Sequence, residues 1–259
     1  MRLTFTRCMA LGVASCLSIA GPATFQPASG ATGRSPAAQQ PSRSVAMTDL
    51  HLVGSATYTP SGRVRLVQAG QSDIAGAAYT PAKVDVTSFT VKLVFHMTGA
   101  CADGLAFIVQ DEGPDALGAA GGDLGYGRET SGAPQTGHGI THSIAVELDT
   151  WQNVWDPAVP HVSLQSRGVQ ENDTDTLYSL VNKPAGPVND GLRHRLTVHY
   201  RDGIFHVWYG DQRLLNNHLD LAHHLGLSDG TAFIGVTAAN GACASATTLD
   251  DFHYFQPAA

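Results

Sequence analysis

Residues 144–161 read IAVELDTWQNVWDPAVPH, and this stretch decides more about the fold than any other part of the chain. In an extended chain, its alternate apolar side chains fall on one side, while Glu147 and Asp149 fall on the other. A strand with one apolar face is what a sheet packed on a core requires. Two carboxylates at neighbouring positions of the opposite face repel each other, so the pattern also predicts a cation between them.

The second half of the stretch adds further metal donors. Trp151 continues the carboxylate face, and two prolines keep the segment after it irregular. That segment supplies Asn153, Asp156 and His161. A Glu-x-Asp pair alone is usually a solvated strand face, and a lone histidine is more often an ordinary residue than a ligand. Together, the donors suit an oxygen-rich Ca²⁺ site and a carboxylate–imidazole site for Mn²⁺ or another transition-metal ion.

Short strands separated by turn formers continue on both sides of this stretch. Residues 88–97 alternate apolar and polar side chains, and residues 194–201 and 204–209 flank Asp202-Gly203, a hairpin signal. Further strands are predicted at residues 104–110, 143–151, 161–166, 231–238 and 250–255, and a helix only at 214–225. Charged residues are only 14% of the chain and glycine is frequent, which favours strands and loops over helices. The sequence therefore predicts an all-β protein, an antiparallel β-sandwich.

Two segments precede the predicted sandwich. Arg2 and Arg7 flank the start of a short apolar run, which is too short to span a membrane and is typical of an export signal. We expect a signal peptide at residues 1–31, a Pro/Ala/Ser/Gln-rich disordered linker at 32–47 and the binding domain at 48–259. The chain is thus expected to be secreted. A second interpretation, a lipid anchor on Cys16, stays open.

Charge and cysteine content narrow the partners. The formal net charge is −7 and no Lys/Arg block occurs, so the sequence predicts neither a nucleic-acid nor an anionic-membrane partner, and no membrane span. Outside the signal, only Cys101 and Cys243 remain. Two cysteines in an exported chain most often form one disulfide, and two buried free thiols are the alternative.

The donor-rich stretch closely resembles the metal-binding core of legume-type (L-type) lectins, whose pattern is E-[FL]-D-T-[aromatic]-x-N-x-W-D-P-x-x-P-H. No position of that pattern is missing. Residues 102–107 (ADGLAF), 121–125 (GGDLG) and 231–242 (TAFIGVTAANGA) match three further motifs in the family's order. The residues in these motifs are most similar to those of microbial, secreted members of the family. The resemblance implies a concanavalin A-like jelly roll that binds glycans without catalysis.

The resemblance also implies a metal shell, carried over residue by residue. The ligands are Glu147, Asp149, the backbone carbonyl of Trp151, Asn153, Asp156 and His161. Asp149 and Asp156 would bridge Ca²⁺ and Mn²⁺. Asn153 and Trp151 would complete the Ca²⁺ shell, and Glu147 and His161 would complete that of the transition-metal ion.

A carbohydrate site follows from the same resemblance. Its residues are Asp103, Gly122, Trp151, Asn153, Ala242 and Cys243. Asp103 would accept hydrogen bonds from sugar hydroxyls, Gly122 would offer its backbone N–H, and Trp151 would face the C–H side of the sugar. The loops that carry Cys101 and Cys243 meet at the combining site in this family, so we expect these cysteines to form a disulfide. Weak single sites would gain avidity from a homo-oligomer.

Two other functions start from the same residues. Concanavalin-like glycoside hydrolases carry E-x-D-x-x-E, but Gln152 stands where the second glutamate would be. A retaining hydrolase needs two carboxyls about 5–5.5 Å apart, so the sequence predicts no enzyme activity. The third possibility is an adhesion or scaffold protein that has lost sugar binding, against which the intact ligand set argues. The chain also departs from the family after the last loop, where Asp250 and Asp251 replace part of H-E-[IV]-L-x-W.

Overall fold

The computed structural model describes residues 44–99, 103–129 and 137–256 of the protein. Two antiparallel sheets lie face to face in these residues, so the predicted all-β sandwich is confirmed. In chain order, the strands are β1 (His51–Gly54), β2 (Thr57–Tyr58), β3 (Val64–Val67), β4 (Ile74–Tyr79), β5 (Val84–Asp85), β6 (Phe89–Thr98), β7 (Gly104–Gln110), β8 (Ser143–Asp149), β9 (His161–Gln165), β10 (Ser179–Pro184), β11 (Arg193–Arg201), β12 (Ile204–Tyr209), β13 (Gln212–His218), β14 (Thr231–Asn240) and β15 (Ala246–Phe255). The helical elements are α1 (Leu221–Leu225) and three 3₁₀ turns, Met47–Asp49, Gly121–Asp123 and Thr176–Tyr178.

The two sheets differ in size and in strand order. The eight-stranded sheet runs β1-β4-β14-β7-β8-β9-β10, with β5 added beside β14. The seven-stranded sheet runs β13-β12-β11-β6-β15-β3-β2. In β6, Phe89, Val91 and Leu93 face the shared core and Lys92 faces solvent, as its alternation predicted. Burying such apolar side chains contributes roughly 1.5–3 kcal/mol each.

The centre of the eight-stranded sheet is buried on both faces. The inner face of β8 packs on the core, while Leu124, Tyr126 and Ile140, from the connection between β7 and β8, cover the outer face. Every residue of β7 and β8 is buried as a result. Glu147 and Asp149 therefore do not lie on a solvated strand face, and the alternative explanation of that pair is wrong.

Some element boundaries in the structure differ from the predicted ones. Residues 214–225 were expected to be helical, but Leu214 and Leu215 belong to β13, which pairs with β12, and only the five residues of α1 are helical. Asp220 caps that short helix by accepting a hydrogen bond from the backbone N–H of His223. Within the predicted linker, Val45 already packs against the core, together with Met47.

No helix in the described ranges is both long and apolar enough to cross a membrane.

Candidate functional site

The pairing of β8 with β9 assembles the predicted metal ligands. Asp149 lies directly opposite His161, and Glu147 lies opposite Ser163. Asp149, Asp156 and His161 each offer a ligand atom, and these atoms lie within 4.8 Å of one another. Three of the predicted ligands thus meet at distances that one or two cations could bridge.

Glu147 adjoins this group and is almost completely buried. Its Oε1 lies 3.2 Å from His161 Nε2 and accepts a hydrogen bond of 3.2 Å from Gln165 Nε2. Its other oxygen accepts from the hydroxyl of Tyr126. Neither of these two supporting residues was predicted from the sequence. A signal for Gln165 exists, because β9 alternates buried polar side chains with the core residues Val162 and Leu164.

The loop after β8 closes on its own carboxylates. The backbone N–H of Trp151 donates to Asp149 Oδ1 at 2.7 Å, and that of Asn153 donates to Asp156 Oδ2 at 2.6 Å. The amide of Gln152 donates to the carbonyl of Asp156 at 3.0 Å. These hydrogen bonds end β8 at Asp149, two residues before the predicted end. They also hold the candidate metal-ligand atoms of this loop beside those of the strand.

Several buried polar atoms here lack a hydrogen-bond partner among the described residues. They are Asp103 Oδ2, Asn153 Oδ1, Asp156 Oδ1 and His161 Nδ1. A buried polar atom left unsatisfied costs about 1–3 kcal/mol. Four such atoms on residues of the predicted site therefore indicate that a binding partner is missing. Carboxylate and amide oxygens suit Ca²⁺, and carboxylates with an imidazole suit a transition-metal ion. The residues fit the predicted ions.

Electrostatics lead to the same conclusion. Burial, with repulsion from Glu147 and Asp156, raises the pKa of the Asp149 carboxyl well above its ordinary value. Burial also raises the pKa of Asp156 to about 6. The pKa of Asp103 rises to about 7, again through burial, although a backbone N–H donates to it. These carboxylates would hold protons at mildly acidic pH unless a cation stabilised their ionised forms.

Three loops converge beside the predicted metal ligands. A Cβ added to Gly122 would lie 2.8 Å from the amide nitrogen and oxygen of Asn153, so the two residues are in direct contact. A Cβ added to Gly241 would lie 3.1 Å from Asp103 Oδ2. Gly241 therefore lies against the Asp103 carboxylate, a contact that was not predicted from the sequence. The loops of Asp103, Gly122 and Gly241 therefore surround one small area.

The remaining predicted sugar-site residues border this area. Trp151 is 45% exposed, so its ring can reach a ligand. Ala242 is exposed and Cys243 is half-buried, directly after Gly241. Cys243 is disulfide-bonded. Its predicted partner, Cys101, lies outside the described residues, so the pairing itself stays a prediction.

Comparison with known proteins gives one family and one fold. The Legume lectin domain family matches residues 40–254. Lectin 1 of Medicago truncatula is 31% identical over 119 residues, so the match spans 41% of this chain and 41% of that relative. The winged bean acidic lectin complexed with methyl-α-D-galactose superposes with a TM-score of 0.65 at 21% identity, covering 84% of this chain and 100% of that one. The exoplasmic/lumenal domain of VIP36 in its Ca²⁺/Man3GlcNAc-bound form gives 0.60 at 16% identity, covering 82% and 84%.

Proposed function

This chain belongs to the legume lectin family, and we propose that it is a metal-dependent lectin that binds glycans at Asp103, Gly122 and Asn153. Members of this family bind carbohydrate and are not catalytic, so the prediction that the chain is not an enzyme is confirmed. One observation carries the finer proposal. Buried side-chain atoms of Asp103 and Asn153, like those of the predicted metal ligands Asp156 and His161, lack a hydrogen-bond partner among the described residues.

Ca²⁺ and Mn²⁺, or another transition-metal ion, are the proposed cofactors. Asp149 and Asp156 would contact both ions, with Asn153 and the carbonyl of Trp151 on Ca²⁺. Glu147 and His161 would serve the second ion, which their 3.2 Å separation supports. The ions would supply the positive charge that keeps these crowded carboxylates ionised and in place.

Sugar recognition would follow from the fixed positions of these groups. Asp103 would accept hydrogen bonds from two hydroxyls, while the Asn153 amide and the Gly122 backbone N–H would donate to others. The ring of Trp151 would cover an apolar face of the sugar. Ala242 and Cys243, on the neighbouring loop, would select between epimers. Hydrogen bonds to a charged group contribute roughly 1.5–3 kcal/mol each, but the sugar gives up bound water to form them. We therefore expect sub-millimolar to millimolar affinity for a monosaccharide. A homo-oligomer would raise the avidity.

The proposal is tested by a glycan array followed by calorimetric titration of the best ligand. The protein is measured in Ca²⁺/Mn²⁺ buffer, after EDTA, and after the ions are restored. We expect binding to disappear with EDTA and to return with the ions. Glycan binding that survives EDTA would show that the metal part is wrong, and no glycan binding under any condition would favour the scaffold alternative.

A pair of variants separates the sugar site from the rest of the surface. Asp103→Asn should abolish sugar binding, because the amide can no longer act as a double acceptor for hydroxyl groups. Asp202→Asn is the matched control, since Asp202 is exposed at a turn with a φ of 53° that Asn tolerates. Unchanged sugar affinity in Asp103→Asn would place the combining site elsewhere.

We further propose that the protein is secreted and carries a Cys101–Cys243 disulfide between two loops of the site. With Cys8 and Cys16 removed along with the signal, the unfolded, unreduced protein should contain no free thiol. Two reactive thiols would contradict the pairing. Mass spectrometry of the exported protein would give its N-terminus, and a lipid on Cys16 would establish the anchored alternative instead. The microbial origin stays a prediction.

A further inference from the structure

A second surface lies on the outer face of the seven-stranded sheet, across the sandwich from the proposed sugar site. The Lys and Arg residues form no block in the sequence, but strand pairing aligns several of them. Arg193 lies opposite His96, His96 lies opposite Thr248, and Thr248 lies opposite Arg65. One row across four strands therefore carries two guanidinium groups and an imidazole.

The charge of this face is opposite to that of the chain. The basic side chains on the face or at its edge are Arg63, Arg65, Lys92, Arg193, Arg195 and Arg213, and the carboxylates are Asp211, Asp250 and Asp251. Arg201 and Asp202 pair with each other and cancel. Six basic groups against three carboxylates leave +3 on the face of a chain whose net charge is −7. The absence of a Lys/Arg block from the sequence therefore does not prevent basic residues from sharing one face of the fold.

A shallow groove of about 440 Å³, largely open to solvent, runs along this face. Trp208, Thr197 and Lys92 form one row across its floor, because each is the cross-strand neighbour of the next. His199 and Arg195 flank that row on β11. The groove thus combines one aromatic ring with hydroxyl, imidazole and cationic side chains.

We propose that this groove binds an acidic polysaccharide whose sugar rings carry carboxylates. Trp208 would lie against the C–H face of one ring, and Thr197 and His199 would bond to its hydroxyls. Lys92 and Arg195 would hold the carboxylate of the sugar. Arg195 now contacts Asp211 at 2.6 Å, but Asp211 is 98% exposed. Such a surface pair is weak, so a ligand carboxylate can replace it.

Other occupants fit this face less well. A nucleic acid carries a charge on every nucleotide, and single strands need several aromatic platforms, whereas this groove is lined by one indole and also by the carboxylate of Asp211. A second copy docked on the same face would bring two positively charged surfaces together. A sugar chain with spaced carboxylates matches both the single ring and the moderate charge.

The test is calorimetric titration of the folded protein in EDTA with a short oligogalacturonate, and with a cello-oligosaccharide of equal length as the neutral control. We expect only the acidic chain to bind, and more weakly as salt is added. Trp208→Ala and Lys92→Glu should each lower its affinity roughly tenfold. Lys183→Glu is the matched charge control, because Lys183 is exposed on β10 in the other sheet. Should Trp208→Ala not fold, Arg195→Glu takes its place.

The site is independent of the metal-dependent lectin function, so the two proposals can fail separately. Trp151→Ala should leave oligogalacturonate binding intact, and Lys92→Glu should leave binding of the array-selected sugar intact. Equal binding of the neutral chain, loss of binding in EDTA, or unchanged affinity in Lys92→Glu would each overturn the proposal. So would tighter binding of single-stranded DNA than of oligogalacturonate.

Discussion

Asp149 and His161 face each other as paired residues of the antiparallel strands β8 and β9. Side chains in such a pair have Cβ atoms about 4.5–5.5 Å apart, so the backbone ladder alone brings a carboxylate and an imidazole within reach of one ion. Asp156, from the loop between the strands, completes the group. Two of the three candidate ligands are therefore placed by the sheet itself, and we expect metal binding to be coupled to the stability of the fold.

Metal binding should stabilise the protein through Asp149. A ligand at about 100 times its Kd adds about 2.7 kcal/mol, which corresponds to a rise in Tm of roughly 5–10 °C for a domain of this size. Asp149→Asn should lose most of the rise that Ca²⁺ and Mn²⁺ give the wild type, because an amide is a weaker ligand. Thermal unfolding with and without the ions measures this, with Asp202→Asn as control. A full rise in Asp149→Asn would remove Asp149 from the metal shell.

The stabilisation by metal should grow as the pH rises from 5 to 7.5. The folded pKa of Asp156, a proposed metal ligand, is raised to about 6 from an ordinary value of 3.8, and that of Asp149 is raised well above the same value. Without metal, the folded state keeps protons in this window that the unfolded chain has released, so stability falls as pH rises. Metal ligands must be deprotonated, so metal binding reverses that loss. The measurement is the Tm difference between loaded and EDTA-treated protein at several pH values. A difference that shrinks toward pH 7.5 would contradict the account.

Gly122→Ala should impair sugar binding without unfolding the domain. The added Cβ would lie 2.8 Å from the side-chain amide of Asn153, so that amide must shift away from its position. We expect an affinity loss of roughly tenfold for the array-selected sugar. Gly186→Ala is the matched control, since its Cβ would meet only a ring carbon of Tyr209, at 3.8 Å. Equal affinity in the two variants would separate Gly122 from the combining site.

Tyr126→Phe should destabilise the fold, because the variant removes the hydroxyl that donates to the buried carboxylate of Glu147. Loss of such a bond costs about 1–3 kcal/mol in the free energy of unfolding. Urea denaturation of the metal-free protein measures this cost. Tyr178→Phe serves as control, because the ring of Tyr178 keeps its contact with Arg167 after the hydroxyl is lost. Similar midpoints for the two variants would mean that Glu147 does not depend on Tyr126.

Strand positions were predicted well where the pattern is local. β7 and β12 have the bounds that were predicted, because turn residues mark both ends of each apolar-rich run. The secondary structure of residues 214–225 was harder to predict, since a run with two adjacent leucines suits either a helix or a strand. Pairing with β12, a contact outside the run, selects the strand for its first half.

The sequence alone determined the fold class and the donors around residues 147–161, because these features depend on side-chain period and on spacing within one segment. Only the tertiary structure decided that Gly122 touches Asn153, that Gly241 lies against Asp103, and that Tyr126 supports Glu147. It also decided that scattered arginines share one face of the seven-stranded sheet. The physical reason is that strand order and register join distant segments, and the spacing of residues along the chain does not contain that information.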